Sequence, residues 1–127
     1  MKLLLDTHAF IWVDSEPDKL SSRVRELCQD PENALMVSVA SIWEIQIKSQ
    51  LGKLQLKMPL AEMIRQQQEN GFEILPVEAS HVFALDSLPN HHKDPFDRLL
   101  VAQTIVEGAV LVSADPLIKQ YPVSVEW

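Results

Sequence analysis

Residues 2–6, "KLLLD", and residues 109–115, "AVLVSAD", share one pattern: a short apolar run that stops at an acid. Runs of this kind read as strands with a polar residue at the end. "ALMVSV" (34–39), "FEILPV" (72–77) and "VSVEW" (123–127) add three more strand candidates. The segments between them have helical character. Residues 7–13 form a short helix, and 19–29 carry Leu20, Val24, Leu27 and Cys28 at helical spacing. Residues 41–52 and 59–71 are helices that each close on glycine, and two more follow, over 78–87 and from Asp94 onward. Strands alternating with helices predict an α/β fold with a central, mainly parallel sheet flanked by helices. The stretch "GKLQLKMP" (52–59) is the most loop-like interruption.

This fold class gives the strand-end acids a meaning. In a parallel sheet all carboxyl ends lie along one edge, and ligands bind there where the strand order reverses. Asp6 and Asp115 are therefore candidates for one site. Each also has a purely structural reading as the cap of a following helix, strengthened for Asp115 by Pro116. In "HHKDPFDRLL" (91–100), capping accounts fully for Asp94, because Pro95 fits the first helical position. Asp97 is different, since its helix face runs on through Val101 and Thr104 beside Leu100 and Ala102. A carboxylate in an apolar surface is costly unless it is paired, hydrogen-bonded or bound to a metal.

Glu44 belongs to "SIWE", which reads as a capping box with Ser41, and it has Lys48 as an i, i+4 partner. Ser41, Glu44 and Lys48 also make one polar stripe on a helix rich in isoleucine and tryptophan, facing either solvent or a cleft. Gathered at one edge, such carboxylates repel one another strongly. A magnesium or manganese ion (Mg2+ or Mn2+) turns the same cluster into a hard-oxygen site. Lys48, Lys53 and Arg98 lie close in sequence to these acids, as candidates to hold flanking phosphates.

Composition bounds the rest. A chain of 127 residues forms a single domain, 1–127, and its 46% apolar and 23% charged content is that of a globular protein. No apolar stretch reaches membrane-spanning length, and "MKLLLD" meets an acid too early for a signal sequence. A lone cysteine, Cys28, excludes an internal disulfide framework and suits the reducing cytoplasm. The net charge of −7 argues against sequence-blind attraction to nucleic acid, unless clustered acids bind cations and invert the local sign. Gly52, Gly71 and Gly108 all follow helical patterns, so no glycine is left for a phosphate-cradling loop. His91 and His92 are adjacent and cannot easily both turn to one ion; His8 lies near Asp6, and His81 sits on an ordinary helix. Trp12, Trp43 and Ile45 are large apolar residues beside the charged groups, and core packing is their expected role.

"LLLDTHAFIW", "SIWEIQIKSQLGKL", "DPFDRLLVAQ" and "LVSAD" together resemble the successive motifs of PIN-domain ribonucleases, and more narrowly of VapC-like toxins. The resemblance covers nearly the whole chain. It implies a PIN-like three-layer fold and an endoribonuclease dependent on magnesium or manganese. The family's acids fall on Asp6, Glu44, Asp97 and Asp115, as the metal-binding and catalytic set. Ser113 and Thr7 would be supporting groups behind them, and Asp94, which belongs to the pattern of one branch of the family, a supporting group or a weak ligand. The resemblance also implies an RNA substrate, a homodimer, and an antitoxin whose segment lies across the acidic cleft, a role that arginine would suit against this net charge.

Three other readings compete at this stage. One is a housekeeping nuclease of the same type without an antitoxin. Another is a non-catalytic interaction module whose acids are only caps. The third, a phosphoester hydrolase with Asp6 as covalent nucleophile, wants a second acid at the position that His8 occupies.

Overall fold

Strand β1 (Lys2–Leu5) is the centre of the molecule, and its three leucines are completely buried. In the computed structural model, which describes residues 1–127, β1 pairs in parallel with β2 (Ala34–Ser38) on one side and β4 (Val110–Val112) on the other. Strands β3 (Phe72–Leu75) and β5 (Val125–Glu126) close the two edges. The order is β3-β2-β1-β4-β5, with every pairing parallel. The chain thus steps outward from β1 to β3 and returns to β4 on the other flank of β1. The strand order reverses between β1 and β4, which is where a doubly wound sheet opens a crevice.

Side-chain alternation divides the core in two. Leu3 and Leu5 point to one face, where they meet Phe10 of α1 (Thr7–Ser15), Val24 and Leu27 of α2 (Ser22–Gln29), Ile45 of α3 (Val39–Gln50) and Met63 of α4 (Leu60–Glu69). Leu4 points to the other face, against Leu100 and Val101 of α6 (Pro95–Glu107), Leu111 and Ile118. The short helix α5 (Ala79–Ala84) packs on α6. The layers are helix, sheet, helix. Helices α3 and α6 also touch each other, bringing their polar faces together at the carboxyl end of the sheet.

Most elements fall where the sequence pattern puts them, but several boundaries move for local reasons. Helix α3 starts at Val39, because Ser38 is its N-cap and accepts from the Ala40 N–H at 3.0 Å. Ser41 therefore lies inside the helix and is not the capping-box residue expected from "SIWE". The strand at 72 stops at Leu75, before Pro76, which has no N–H to give to a ladder. Helix α2 begins only at Ser22, capped by Ser21, after a separate 3-10 turn at Pro17–Lys19. Helix α6 behaves as read: Asp94 caps it, Pro95 opens it, and Gly108 ends it at φ +62°, a left-handed conformation suited to glycine.

Because β1 is buried on both faces, cavities cut on either side should cost the same kind of energy. Leu4→Ala and Leu5→Ala are each expected to destabilise the protein by about 2–5 kcal/mol, the usual range for emptying a packed leucine site. Urea unfolding followed by circular dichroism measures this. A variant with the wild-type midpoint would contradict burial on that face.

Candidate metal centre

Asp6 immediately follows β1, and its backbone N–H continues the ladder to the Val112 carbonyl at 3.0 Å. Its side chain caps α1 by accepting from the Ala9 N–H at 2.8 Å. The carboxyl is almost fully buried, and burial pushes its pKa up. The Ser113 hydroxyl, the Ala9 N–H and His8 oppose that rise, while Asp115 adds to it. The capping reading of Asp6 is thus correct, and it does not exhaust the residue. One oxygen suffices for the cap, and the group still stands next to a second acid.

Glu44 reaches the same edge from α3. Its Oε1 accepts from the Thr7 hydroxyl at 2.6 Å, and its Oε2 meets Lys48 Nζ at 2.9 Å. Thr7 Oγ1 also lies 3.0 Å from Ser41 Oγ. The polar stripe of α3 therefore faces inward, toward α1, because Ser41 and Glu44 are both buried. Lys48 pairs with a buried carboxylate, so this is not the solvated surface pair that spacing alone suggests.

Asp97 stands in the first turn of α6. Its carboxyl is pushed up to about 7, by burial first and then by the like charges of Asp94, Asp6 and Glu44; His92 acts in the opposite sense. Those acids come from the cap of α1, from α3 and from the cap of α6. Asp115 joins them from the loop after β4. Its Oδ1 accepts from the Leu117 N–H at 2.9 Å, and its own N–H donates to the buried Ser113 Oγ at 3.1 Å. Asp94 is occupied differently: its Oδ1 takes the Phe96 and Asp97 N–H groups at 2.8 and 3.3 Å.

His92, which the sequence reading weighed with His91 and left out of the candidate set, stands among these acids. Its Nε2 lies 3.0 Å from Asp97 Oδ2 and 3.0 Å from Asp115 Oδ2. The two adjacent histidines do diverge, because His91 packs edge-on against Tyr121 at 5.2 Å. The available signal was the His-x-Asp spacing, which lets an imidazole accept the N–H of a helix cap two residues later. Lys93 was passed over. It lines an open cleft of about 440 Å³ with Glu44, Lys48, Lys53, Asp94 and Phe96. Arg98 is committed elsewhere, donating to the Pro89 carbonyl at 2.9 Å and the Tyr121 hydroxyl at 3.2 Å. Ile45 is core, as expected. Trp43 is not: it is 62% exposed, with its ring edge-on to Phe96 at 5.3 Å.

The donor set formed by Asp6, Glu44, Asp97 and Asp115 is all carboxylate oxygen, the chemistry that suits a hard divalent cation. The sign of the fit is geometric: buried Asp6 and Glu44 stand at the same edge as Asp97 and Asp115, whose Oδ2 atoms both lie 3.0 Å from His92 Nε2, and a cation there would offset the charge of the acids.

The PIN domain family model matches residues 3–123 of the chain. The chain is 30% identical over 121 residues to Ribonuclease VapC22 of Mycobacterium tuberculosis, covering 94% of this chain and 91% of that protein. Its fold is similar to a chain in the crystal structure of VapBC2 from Rickettsia felis bound to a DNA fragment from their promoter. The TM-score there is 0.74 at 20% identity, covering 99% of this chain and 98% of that one. VapBC-1 from nontypeable Haemophilus influenzae gives a TM-score of 0.66 at 17% identity, covering 99% and 97%.

The raised pKa of Asp97 sets a pH dependence. The group binds its proton more tightly in the fold (about 7) than as an ordinary carboxyl at 3.8, so its stabilising contribution is complete below 3.8 and lost as pH rises through about 7. Without divalent cations, Asp97→Asn should therefore melt higher than wild type at about pH 8, and the gap should narrow toward about pH 5. Thermal melts across that range read it directly. A gap that widens as pH falls would reverse the assignment.

Proposed function

The chain belongs to the PIN-domain family, and we propose that it is a magnesium- or manganese-dependent endoribonuclease, the toxin of a toxin–antitoxin pair. What supports this reading is the placement of Asp6, Glu44, Asp97 and Asp115 at the carboxyl edge of a parallel sheet, where Glu44 accepts from Thr7 beside Asp6 and His92 spans Asp97 and Asp115 at 3.0 Å each. The near-full-length similarity to a protein named Ribonuclease VapC22 supports it.

In this reading Asp6, Glu44, Asp97 and Asp115 hold the cation. When bound, magnesium or manganese supplies an activated water and charge compensation for hydrolysis of a phosphodiester. The protein's own groups do the positioning. Asp6 is fixed by the Ala9 N–H, Glu44 by Thr7 and Lys48, and Asp115 by the Leu117 N–H. Ser113 holds the backbone beside Asp115. Lys53 and Lys93, both exposed on the cleft that Glu44 also lines, offer ammonium groups to phosphates flanking the scissile bond. Such contacts hold a strand without reading its bases. No side-chain nucleophile is required, and position 8, where a phosphoester hydrolase with an Asp6 nucleophile would want an acid, carries an exposed histidine.

Several further parts of the proposal concern company and place. The protein acts as a homodimer on RNA in the cytoplasm, and a cognate antitoxin restrains it. An arginine from that partner suits the acidic cleft, because a guanidinium can fork onto carboxylate oxygens and compete with the cation.

The test compares wild type with Asp6→Asn on a labelled single-stranded RNA in magnesium, manganese or chelator. Cleavage is expected only with a divalent cation, and the variant should lose on the order of 10²–10³ in rate, the usual cost of removing an electrostatic partner of the reacting group. The two proteins should fold alike. Equal cleavage by the two proteins would dismiss this site. Expression in bacteria tests the toxin half: wild type should arrest growth, Asp6→Asn should not, and co-expression of the neighbouring gene should relieve the arrest. Harmless wild-type expression alongside measurable cleavage would leave a nuclease without the toxin role.

A further inference from the structure

His92, Asp97 and Asp115 place one ligand atom each within 4.8 Å of one another, and at first sight this is a three-ligand metal site. Counting lone pairs gives a different result. The Asp94 N–H donates to His92 Nδ1 at 3.1 Å. A neutral imidazole has one accepting nitrogen and one N–H, so the hydrogen resides on Nε2. That nitrogen faces Asp97 Oδ2 and Asp115 Oδ2, each at 3.0 Å, and shares its hydrogen between them. To offer Nε2 to a cation, the ring would need its proton on Nδ1, pointed at the Asp94 N–H. That N–H belongs to the residue capping α6, whose own Oδ1 holds the Phe96 and Asp97 N–H groups, so it cannot readily turn away.

We infer that His92 is a positioning residue and not a metal ligand: its Nε2–H ties Asp97 on α6 to Asp115 after β4 and preassembles both for a divalent cation. The two acids come from elements that no covalent or backbone link holds together at this edge, and the imidazole supplies that link. Each ionised carboxylate has about four lone-pair sites, so one shared hydrogen leaves room for a cation. The ring is well placed to persist, with its side chain only 14% exposed. This inference rests on the metal-dependent reading given above. Outer hydrogen bonds to ligating carboxylates typically matter by 10–100-fold in metal affinity.

Manganese alone is the probe. Its binding is measured by calorimetry for wild type, His92→Ala and His92→Gln. His92→Ala should bind about 10–100-fold more weakly. His92→Gln, which can donate an N–H from nearly the same point, should recover most of that loss; a role in folding alone would not follow this pattern. Pulsed electron paramagnetic resonance of the manganese-loaded protein with 15N-labelled histidine should detect no directly coordinated imidazole nitrogen. Coordination by His92, or an unchanged affinity in His92→Ala, would overturn the inference. Ring 15N shifts in the metal-free protein should report hydrogen on Nε2 of His92, and hydrogen on Nδ1 would overturn it independently. Failure of wild type to bind manganese at all is a separate result, since it strikes the metal-dependent function while the ring shifts still read the tautomer.

Discussion

Repulsion among carboxylates gathered at one end of a buried sheet is the constraint on which this molecule turns. Asp6, Glu44, Asp97 and Asp115 come from the junction of β1 and α1, from α3, from α6 and from the loop after β4, and nothing local makes them neighbours. Left free, groups of like charge would splay apart or take up protons. Asp97 leans toward the second response: burial first, and then its acidic neighbours, raise its carboxyl to about 7. The first is prevented by the scaffold beneath them. The three leucines of β1 are fully buried and locked into both helical layers, and the strand's pairing with β4 fixes where Asp6 and Asp115 emerge. The core therefore holds together an arrangement that electrostatics alone would disperse.

Hydrogen bonds then decide how each acid spends its oxygens. Backbone N–H groups take Asp6, Asp94 and Asp115, while side chains take Glu44. Capping a helix and standing beside other acids are compatible in this fold. A helix start provides a fixed N–H and a partial positive charge, which orients a carboxylate and eases its burial near other acids. The same geometry explains the difference between Asp94 and Asp97. Asp94 turns its Oδ1 back onto the helix, and Asp97 projects forward to His92 and the other carboxylates.

The charge distribution fits the same division. A chain of net charge −7 has little general attraction for a polyanion, but three lysines border the cleft beside Glu44. Lys48 is held by that glutamate, while Lys53 and Lys93 are exposed. The attraction is therefore local, confined to the approach to the acids. Trp43 and Phe96, packed edge to face at the same rim, add an apolar element to a surface that is otherwise charged.

What the sequence by itself determined was whatever depends on neighbours along the chain. Apolar runs ended by acids marked β1 and β4 with Asp6 and Asp115, and Asp-Pro marked the start of α6 with Asp97 in its first turn. The alternation of elements was enough for a parallel α/β sheet, and successive motifs were enough for the family. The tertiary structure decided whatever depends on partners distant in sequence. Ser41 meets Thr7 across 34 residues, a contact that no local pattern names. Arg98 sits one residue from an active-site candidate, yet Tyr121 and the Pro89 carbonyl claim it. His92 looked unremarkable beside His91, because its importance lies in two oxygens, one of them 23 residues away. Local patterns encode which elements form and where they begin, since hydrogen bonds and periodicity act over a few residues. Which side chains become partners is set by packing, and packing is a property of the whole fold.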